Sequence, residues 1–311
     1  MSFPTYFEPK NSLSLYGFRE NLLFLKKLYT GGNLPKVLMF SGKKGLGKST
    51  LANHLMFFIY DKKNYDEENQ ILSNNSNFYN HFIDNTFPNI VYLSGSNFKN
   101  IKIEDIRNLK KKIFQTSLSN QPRFIILDDI ELFNVNSLNA LLKIIEEPSK
   151  MNYFLLINNK TKPLLDTIKS RCLEIKFIIN NEKRIEIIES LIKDFNLDLK
   201  IDLNNSNLTP GYFIKFNYIC NENKINLDDD FLKNLTTILN LYKKNKDIMY
   251  IDMILFLTDY YFNEIKINKS MSNEKIIDYK RFIFENINNF FLYNLNQNAL
   301  LNAISNKICN E

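Results

Sequence analysis

Length, composition and charge describe a folded protein of more than one domain. The 311 residues exceed what one compact core usually holds, and a chain with 44% hydrophobic and 24% charged residues has ordinary globular composition, which argues against long disorder. Forty Lys and Arg residues against 34 Asp and Glu residues give a net charge of +6, which permits a nucleic-acid partner without requiring one.

The cysteines and the apolar runs exclude two further classes of protein. Cys172, Cys220 and Cys309 are odd in number and far apart, so they form neither a disulfide framework nor a four-thiolate zinc site. No run of apolar residues reaches the ~20 that a membrane helix needs. We therefore expect a soluble cytoplasmic protein with no zinc and no membrane partner.

Predicted strands and helices alternate along the first half of the chain. The apolar run 37–40 ends at Ser41 and Gly42, as buried parallel strands do, and residues 48–60 repeat apolar side chains at helical spacing. Residues 61–86 are polar without a sustained period, which indicates a surface insertion. Further strands are predicted at 89–93, 124–127, 153–157 and 172–178, and further helices at 103–114, 137–146 and 163–169. This alternation predicts a wound α/β domain.

The strand signals largely disappear after about residue 179. Residues 182–195 have one apolar face, Thr209-Pro210-Gly211 predicts a turn, and the polar stretch 221–226 predicts a linker before further helices. We therefore expect an α/β domain at 1–179, a small helical domain at 180–224 and an all-helical domain at 225–311. The last domain is expected to form oligomer contacts, with a private core as an equal alternative, because it is rich in large apolar residues, including Phe256, Tyr260, Tyr261, Phe290 and Phe291.

A glycine-rich loop stands between the first strand and its helix. Residues 42–49, GKKGLGKS, fit the P-loop pattern G-x4-G-K-[ST]. In such a loop the backbone N–H groups surround phosphate oxygens, the lysine reaches the β- and γ-phosphates, and the serine hydroxyl binds Mg²⁺. The residues assigned to a site for ATP and Mg²⁺ are Gly42, Gly45, Gly47, Lys48, Ser49 and Thr50.

Two acids, Asp128 and Asp129, follow the buried strand at 124–127. A P-loop needs an acid at the end of a neighbouring strand to orient Mg²⁺, and we assign this role to Asp128, together with Ser49. An apolar strand that ends in two acids is often only a strand entering a surface turn. The P-loop favours the functional interpretation.

Three sequence blocks resemble the AAA+ clamp-loader family, the subunits of DNA polymerase III clamp loaders. They are residues 139–148 (NALLKIIEEP), 154–156 (FLL) and 167–172 (TIKSRC), and residues 101–109 (IKIEDIRNL) resemble the segment before the family's acidic strand. The resemblance implies an AAA+ P-loop domain with a parallel sheet, then a helical lid and a helical collar. It also implies ATP and Mg²⁺ as cofactors, gamma/tau and delta subunits as hetero-oligomer partners, and a sliding clamp with primed DNA as the target.

The resemblance assigns roles to individual residues. Arg171 matches the arginine finger that clamp-loader subunits point into a neighbour's ATP site, where a rigid charged fork stabilises charge on the γ-phosphate. Asn158 and Asn159 both fall where the family has its polar sensor 1 residue, and the sequence does not choose between them. Asp129 stands in the place of the catalytic acid.

Three departures from the family pattern bear on activity. Asp129 replaces the usual glutamate, Tyr212 stands where an arginine would bind the γ-phosphate, and residues 61–86 lack the four cysteines of a zinc module. They favour a delta-prime type of subunit, with weak or non-catalytic ATP binding, over a catalytic gamma/tau-type ATPase, so enzyme status stays open. A P-loop kinase for small molecules is a weaker alternative, because residues 50–125 contain no arginine-rich lid.

Overall fold

The computed structural model describes residues 4–95, 104, 106, 108, 121–267 and 271–309. Contacts between Cα atoms group the chain into two compact units. The α/β unit consists of Ser2–Leu191 with Thr209–Tyr212, and the helical unit consists of Ile192–Leu208 with Phe213–Glu311. The division into three domains stays a prediction.

A five-stranded parallel sheet forms the centre of the α/β unit, as the alternation of elements predicts. The strands within the described residues are β1 Val37–Ser41, β2 Tyr65–Asp66, β3 Ile71–Leu72, β4 Ile90–Ser94, β5 Arg123–Asp128, β6 Asn152–Asn158 and β7 Leu173–Lys176. The order in the large sheet is β4-β5-β6-β1-β7, and β2 and β3 form a separate hairpin. Ser94 pairs with Asp128 and Ser41 pairs with Asn158, so the carboxyl ends of these four strands meet at one edge.

Helices pack against this sheet, and its central strands β1, β5 and β6 are buried on both faces, as in other wound α/β proteins. The helices are α1 Arg19–Thr30, α2 Lys48–Tyr60, α3 Asn77–Ile83, α4 Val135–Ile145, α5 Asp166–Lys169 and α6 Asn181–Phe195, which continues into the helical unit. Alternate strand residues enter separate cores: Leu38 and Phe40 lie in one, Val37 and Met39 in the other. The helix predicted at 103–114 lies largely outside the described residues.

The segment at 61–86 differs from the expected surface insertion. It contains the β2–β3 hairpin and α3, and it buries Tyr65, Leu72, Phe78 and Phe82 in the core of the α/β unit. The Phe78 and Phe82 rings lie 4.7 and 5.6 Å from the ring of Phe57 on α2. Polar residues separate these side chains, so no sustained period indicates their burial.

The helical unit contains α7 Pro210–Glu222, α8 Phe231–Asn245, α9 Met249–Ile267, α10 Asn273–Tyr293 and α11 Gln297–Cys309, with the first residues of α7 in the α/β unit. The turn predicted at Thr209-Pro210-Gly211 is instead the start of α7, because proline suits the first position of a helix. Asp230 and Ser272 cap α8 and α10 by accepting from the Lys233 and Lys275 N–H groups. Within the described residues, no helix combines the length and apolar content needed to cross a bilayer.

The aromatic residues expected to form oligomer contacts largely pack within the helical unit itself. Tyr260 and Phe290 are buried. Ring contacts join Phe256 to Phe216, Tyr261 to Phe231 and Phe291 to Tyr242. These contacts favour the private-core alternative for the five aromatic residues. The assignment of oligomer contacts to this unit stays a prediction.

Candidate functional site

The P-loop joins β1 to α2 at the carboxyl edge of the sheet. Gly45 and Gly47 have φ angles of +82° and +86°, a region that glycine adopts without the penalty of a side chain. Gly42 N–H donates to the Asn158 carbonyl at 3.1 Å, which ties the start of the loop to the end of β6. The loop is therefore held between two neighbouring strands.

The Lys48 side chain points back under this loop. It is only 3% exposed, and its Nζ donates to the carbonyls of Gly42 and Lys43 at 2.8 and 2.7 Å. Burial lowers the pKa of Lys48 to about 8, although Asp128, Glu131 and Asp129 oppose the shift. An ammonium has three N–H donors, so one donor remains after these two bonds.

Ser49 and Asp128, which we assigned together to Mg²⁺, are in contact. Ser49 Oγ donates to Asp128 Oδ2 at 3.0 Å, and the Tyr92 hydroxyl donates to the same oxygen at 2.8 Å. Asp129 N–H donates to the other carboxylate oxygen at 2.9 Å. Burial raises the pKa of Asp128, and the charge of Asp129 raises it further. Tyr92, on β4, was missed because its role depends on strand pairing.

The structure distinguishes the two asparagines that the sequence left open. Asn159 Nδ2 donates to Asp129 Oδ1 at 2.7 Å, and Lys44 Nζ lies 3.8 Å from the same oxygen. The Asn158 side chain accepts from the Lys160 N–H, within its own turn. Asn159 is therefore the asparagine whose side chain meets an acid of the site.

Glu131 is a further residue of this region that the sequence interpretation missed. Its carboxylate is buried and accepts from Asn159 N–H at 3.1 Å and from the Thr161 hydroxyl at 2.9 Å. Glu131 thereby fixes the backbone of Asn159, whose side chain bonds to Asp129. Its position three residues after Asp128 is the one signal that could have drawn attention to it.

Arg171 lies after α5, apart from these residues. Its Nε and Nη2 donate to Glu146 Oε1 at 3.0 and 2.8 Å, and its Nη1 donates to the Thr167 carbonyl at 2.9 Å. The side chains of Arg171 and Glu146 are 36% and 47% exposed. Among the described residues, none of the partners of Arg171 belongs to the P-loop or to the Asp128 group.

The arrangement around Lys48 suits a magnesium nucleotide. Mg²⁺ prefers oxygen ligands, and Ser49 and Asp128 present a hydroxyl and a carboxylate side by side. Lys48 bonds to carbonyls and keeps a donor for a phosphate oxygen. Thr50 follows on the first turn of α2, with a half-buried side chain. The residues present therefore fit the group that the motif implies.

Comparison with known proteins identifies the family. The profile described as "DNA polymerase III, delta subunit" matches residues 19–181, slightly more than half of the chain. The chain belongs to this family. The match covers the P-loop, both acids and Arg171, so the site described above lies in the region that the family shares.

Individual relatives agree with this assignment. The DNA polymerase III subunit delta' of Buchnera aphidicola subsp. Acyrthosiphon pisum is 32% identical over 61% of this chain and 61% of its own length. The DNA polymerase III subunit gamma of the same organism is 24% identical over 72% of this chain and 62% of its own. This chain thus spans less than two thirds of the length of each.

One solved structure aligns over most of the chain. It is a DNA polymerase III gamma-subunit-related protein from Thermotoga maritima, with a TM-score of 0.48, 17% identity, and coverage of 92% of this chain and 98% of the other.

Proposed function

We propose that this protein is a delta-prime-type subunit of a DNA polymerase III clamp loader. It joins gamma/tau and delta subunits in a hetero-oligomer, which opens the sliding clamp and loads it on primed DNA. Family membership supports the assignment to the clamp loader. The finer role rests mainly on Arg171, a half-exposed guanidinium bonded outside its own P-loop region.

We propose that the chain's own site binds a magnesium nucleotide but hydrolyses it slowly. The nucleotide supplies the phosphates and Mg²⁺ supplies a positive charge beside them. Lys48 donates to a phosphate oxygen, while Ser49 and Asp128 hold the metal. Asp129 is bound to Asn159 and lies near Lys44, and its side chain is one methylene shorter than the family's glutamate. It is therefore poorly suited to orient an attacking water.

Arg171 is suited to act on a neighbouring subunit. A half-exposed ion pair such as Arg171–Glu146 contributes only about 0–1 kcal/mol, so the guanidinium exchanges partners at little cost. Its planar fork matches the oxygens of a γ-phosphate. We assign it to the ATP site of the adjacent subunit.

A catalytic gamma/tau-type role is the second candidate. The intact P-loop and its Ser49–Asp128 contact support it, because a subunit that only donates an arginine does not need them. Steady-state ATPase measurements on the reconstituted assembly separate the two roles. Lys48→Ala in this chain alone abolishes only a small part of the activity if the delta-prime proposal is correct.

The main test replaces Arg171. We expect Arg171→Ala to leave folding, assembly and nucleotide binding by this chain unchanged, while DNA-stimulated ATPase of the reconstituted loader falls severalfold. A supplied arginine is worth about 10³ to 10⁵ in rate at one site, and other sites in the assembly dilute the observed loss. Arg171→Lys should rescue poorly, because an ammonium lacks the planar fork.

Lys169→Ala is the matched control for this test, since Lys169 is an exposed cation two residues away whose ion pair, in the part of the chain that the structure describes, is with Asp166 on its own helix. It should keep the wild-type rate. Equal rates for wild type and Arg171→Ala, with equal assembly by gel filtration, would contradict the proposed role of Arg171.

A further inference from the structure

The start of α7 and the residue before it bond directly to the backbone of the P-loop. The Thr209 hydroxyl donates to the Lys44 carbonyl at 2.7 Å, and the Gly211 N–H donates to the Gly45 carbonyl at 2.9 Å. Thr209 is only 7% exposed. All four residues belong to the α/β unit. We call Thr209–Gly211 the P-loop latch.

These two bonds determine which way the peptide groups of the loop face. In a trans peptide the carbonyl of one residue and the N–H of the next point in opposite directions. When the latch binds the carbonyls of Lys44 and Gly45, it turns the N–H groups of Gly45 and Leu46 away from α7. Among the described residues, no backbone carbonyl accepts from the Gly45 N–H at hydrogen-bonding geometry. This N–H is therefore available to an anion.

The latch and the loop fit closely, with a glycine on each side of the contact. A Cβ on Gly211 would lie 3.0 Å from the Cα and from the carbonyl oxygen of Gly45, tighter than ordinary van der Waals contact. A Cβ on Gly45 would lie 2.4 Å from Thr209 Oγ1, in addition to the strain of its positive φ. A side chain at either position would separate the two backbones.

We propose that Thr209 and Gly211 are positioning residues for phosphate binding. They hold the Lys44 and Gly45 carbonyls so that successive N–H groups of the P-loop converge on the phosphates of the nucleotide. The latch acts through the loop and does not itself touch the ligand. This inference rests on the proposed nucleotide binding. It gives a role to residues 209–212, which belong to the α/β unit although residues 192–208 before them belong to the helical unit.

The test compares binding of phosphate ligands by the full chain and its variants. Thr209→Val removes the hydroxyl at nearly constant shape, and Thr209→Ser keeps a hydroxyl. Gly211→Ala inserts a methyl group between latch and loop. Isothermal calorimetry gives Kd values for Mg-ATP and for inorganic tripolyphosphate, and thermal unfolding checks that each variant is folded.

We expect Thr209→Val and Gly211→Ala to weaken both ligands by about 3- to 10-fold, the worth of one hydrogen bond. Thr209→Ser should stay within about twofold of wild type. Thr258→Val is the matched control, because Thr258 is a buried threonine in the helical unit whose hydroxyl donates to the Ile254 carbonyl. It should alter stability without altering either Kd.

Two results would overturn the inference in different ways. Wild-type binding with an unchanged Kd in folded Thr209→Val would assign the latch a purely structural role and leave the proposed function intact. A wild-type chain that binds neither Mg-ATP nor tripolyphosphate would refute nucleotide binding and the positioning role together.

Discussion

The P-loop region and the Arg171 turn use charged side chains in opposite ways. Lys48 and Asp128 are 3% and 8% exposed, and each is surrounded by hydrogen-bonding partners. Arg171 and Glu146 are exposed over a third or more of their side chains and bond mainly to each other. The first arrangement holds its charges in place, as the proposed nucleotide site requires. The second releases its arginine easily.

The energetic cost of a charge explains this contrast. Burial disfavours the charged forms of both side chains, which lowers the pKa of Lys48 to about 8 and raises the pKa of Asp128. A bound magnesium nucleotide would supply the charges that offset this cost. The Arg171–Glu146 pair is already partly solvated, so no ligand is needed to offset the cost of its charges. In the proposed role, a partner subunit would compete only with this weak ion pair.

The largest expected effect comes from removing the buried charge. Lys48→Ala should weaken Mg-ATP binding by about 10- to 100-fold, because it removes a charge-assisted hydrogen bond to the phosphates. Calorimetry on the isolated chain measures this change. Lys63→Ala, which truncates an exposed lysine of the same unit, should leave Kd unchanged. A rise in Kd of less than about twofold for Lys48→Ala would contradict the assignment of Lys48 to the site.

A smaller change in the Kd for Mg-ATP is expected when the asparagines at the end of β6 are replaced, and its size should differ between the two. Asn159→Ala frees Asp129 beside the metal site and should shift the Kd for Mg-ATP by about 3- to 10-fold. Asn158→Ala should stay within about twofold, because it loses only a bond within its own turn and keeps the backbone bond from Gly42. Titrations of the two variants side by side decide the assignment. The reverse ranking would favour Asn158 as the sensor.

The smallest expected effect concerns the exposed ion pair. Glu146→Gln should change the free energy of unfolding by less than about 1 kcal/mol, because solvent screens the pair. The ATPase rate of the assembly should stay at or slightly above that of wild type, since Arg171 is then freer to reach its neighbour. Chemical denaturation and the steady-state assay measure these quantities. A rate loss as large as that of Arg171→Ala would mean that the ion pair itself is required.

Much of the fold follows from local patterns in the sequence. The runs at 37–40, 124–127 and 153–157 form β1, β5 and β6, because a strand buried on both faces must be continuously apolar. The helix predicted at 48–60 has the same bounds as α2. The P-loop was recognisable because its residue types fit the motif and because it lies between a strand and a helix, where the motif is expected.

Other parts of the site could not be predicted, because they depend on contacts between distant segments. Tyr92 reaches Asp128 only through the pairing of β4 with β5, and Glu131 has partners 28 and 30 residues later in the chain. The packing of Phe78 and Phe82 against Phe57 likewise shows no local period.

The sequence by itself determined the strands of the five-stranded sheet, the P-loop, its acidic partner and the block that contains Arg171, since each depends on residue types within a short stretch. Tertiary structure alone decided that Asn159 rather than Asn158 meets Asp129, and that Thr209 and Gly211 bond to a loop some 165 residues earlier. The physical reason is that a hydrogen bond forms only when the donor points at the acceptor and their distance is right to within a few tenths of an ångström. Only the packing of the whole unit fixes the distance and direction between these groups to that precision.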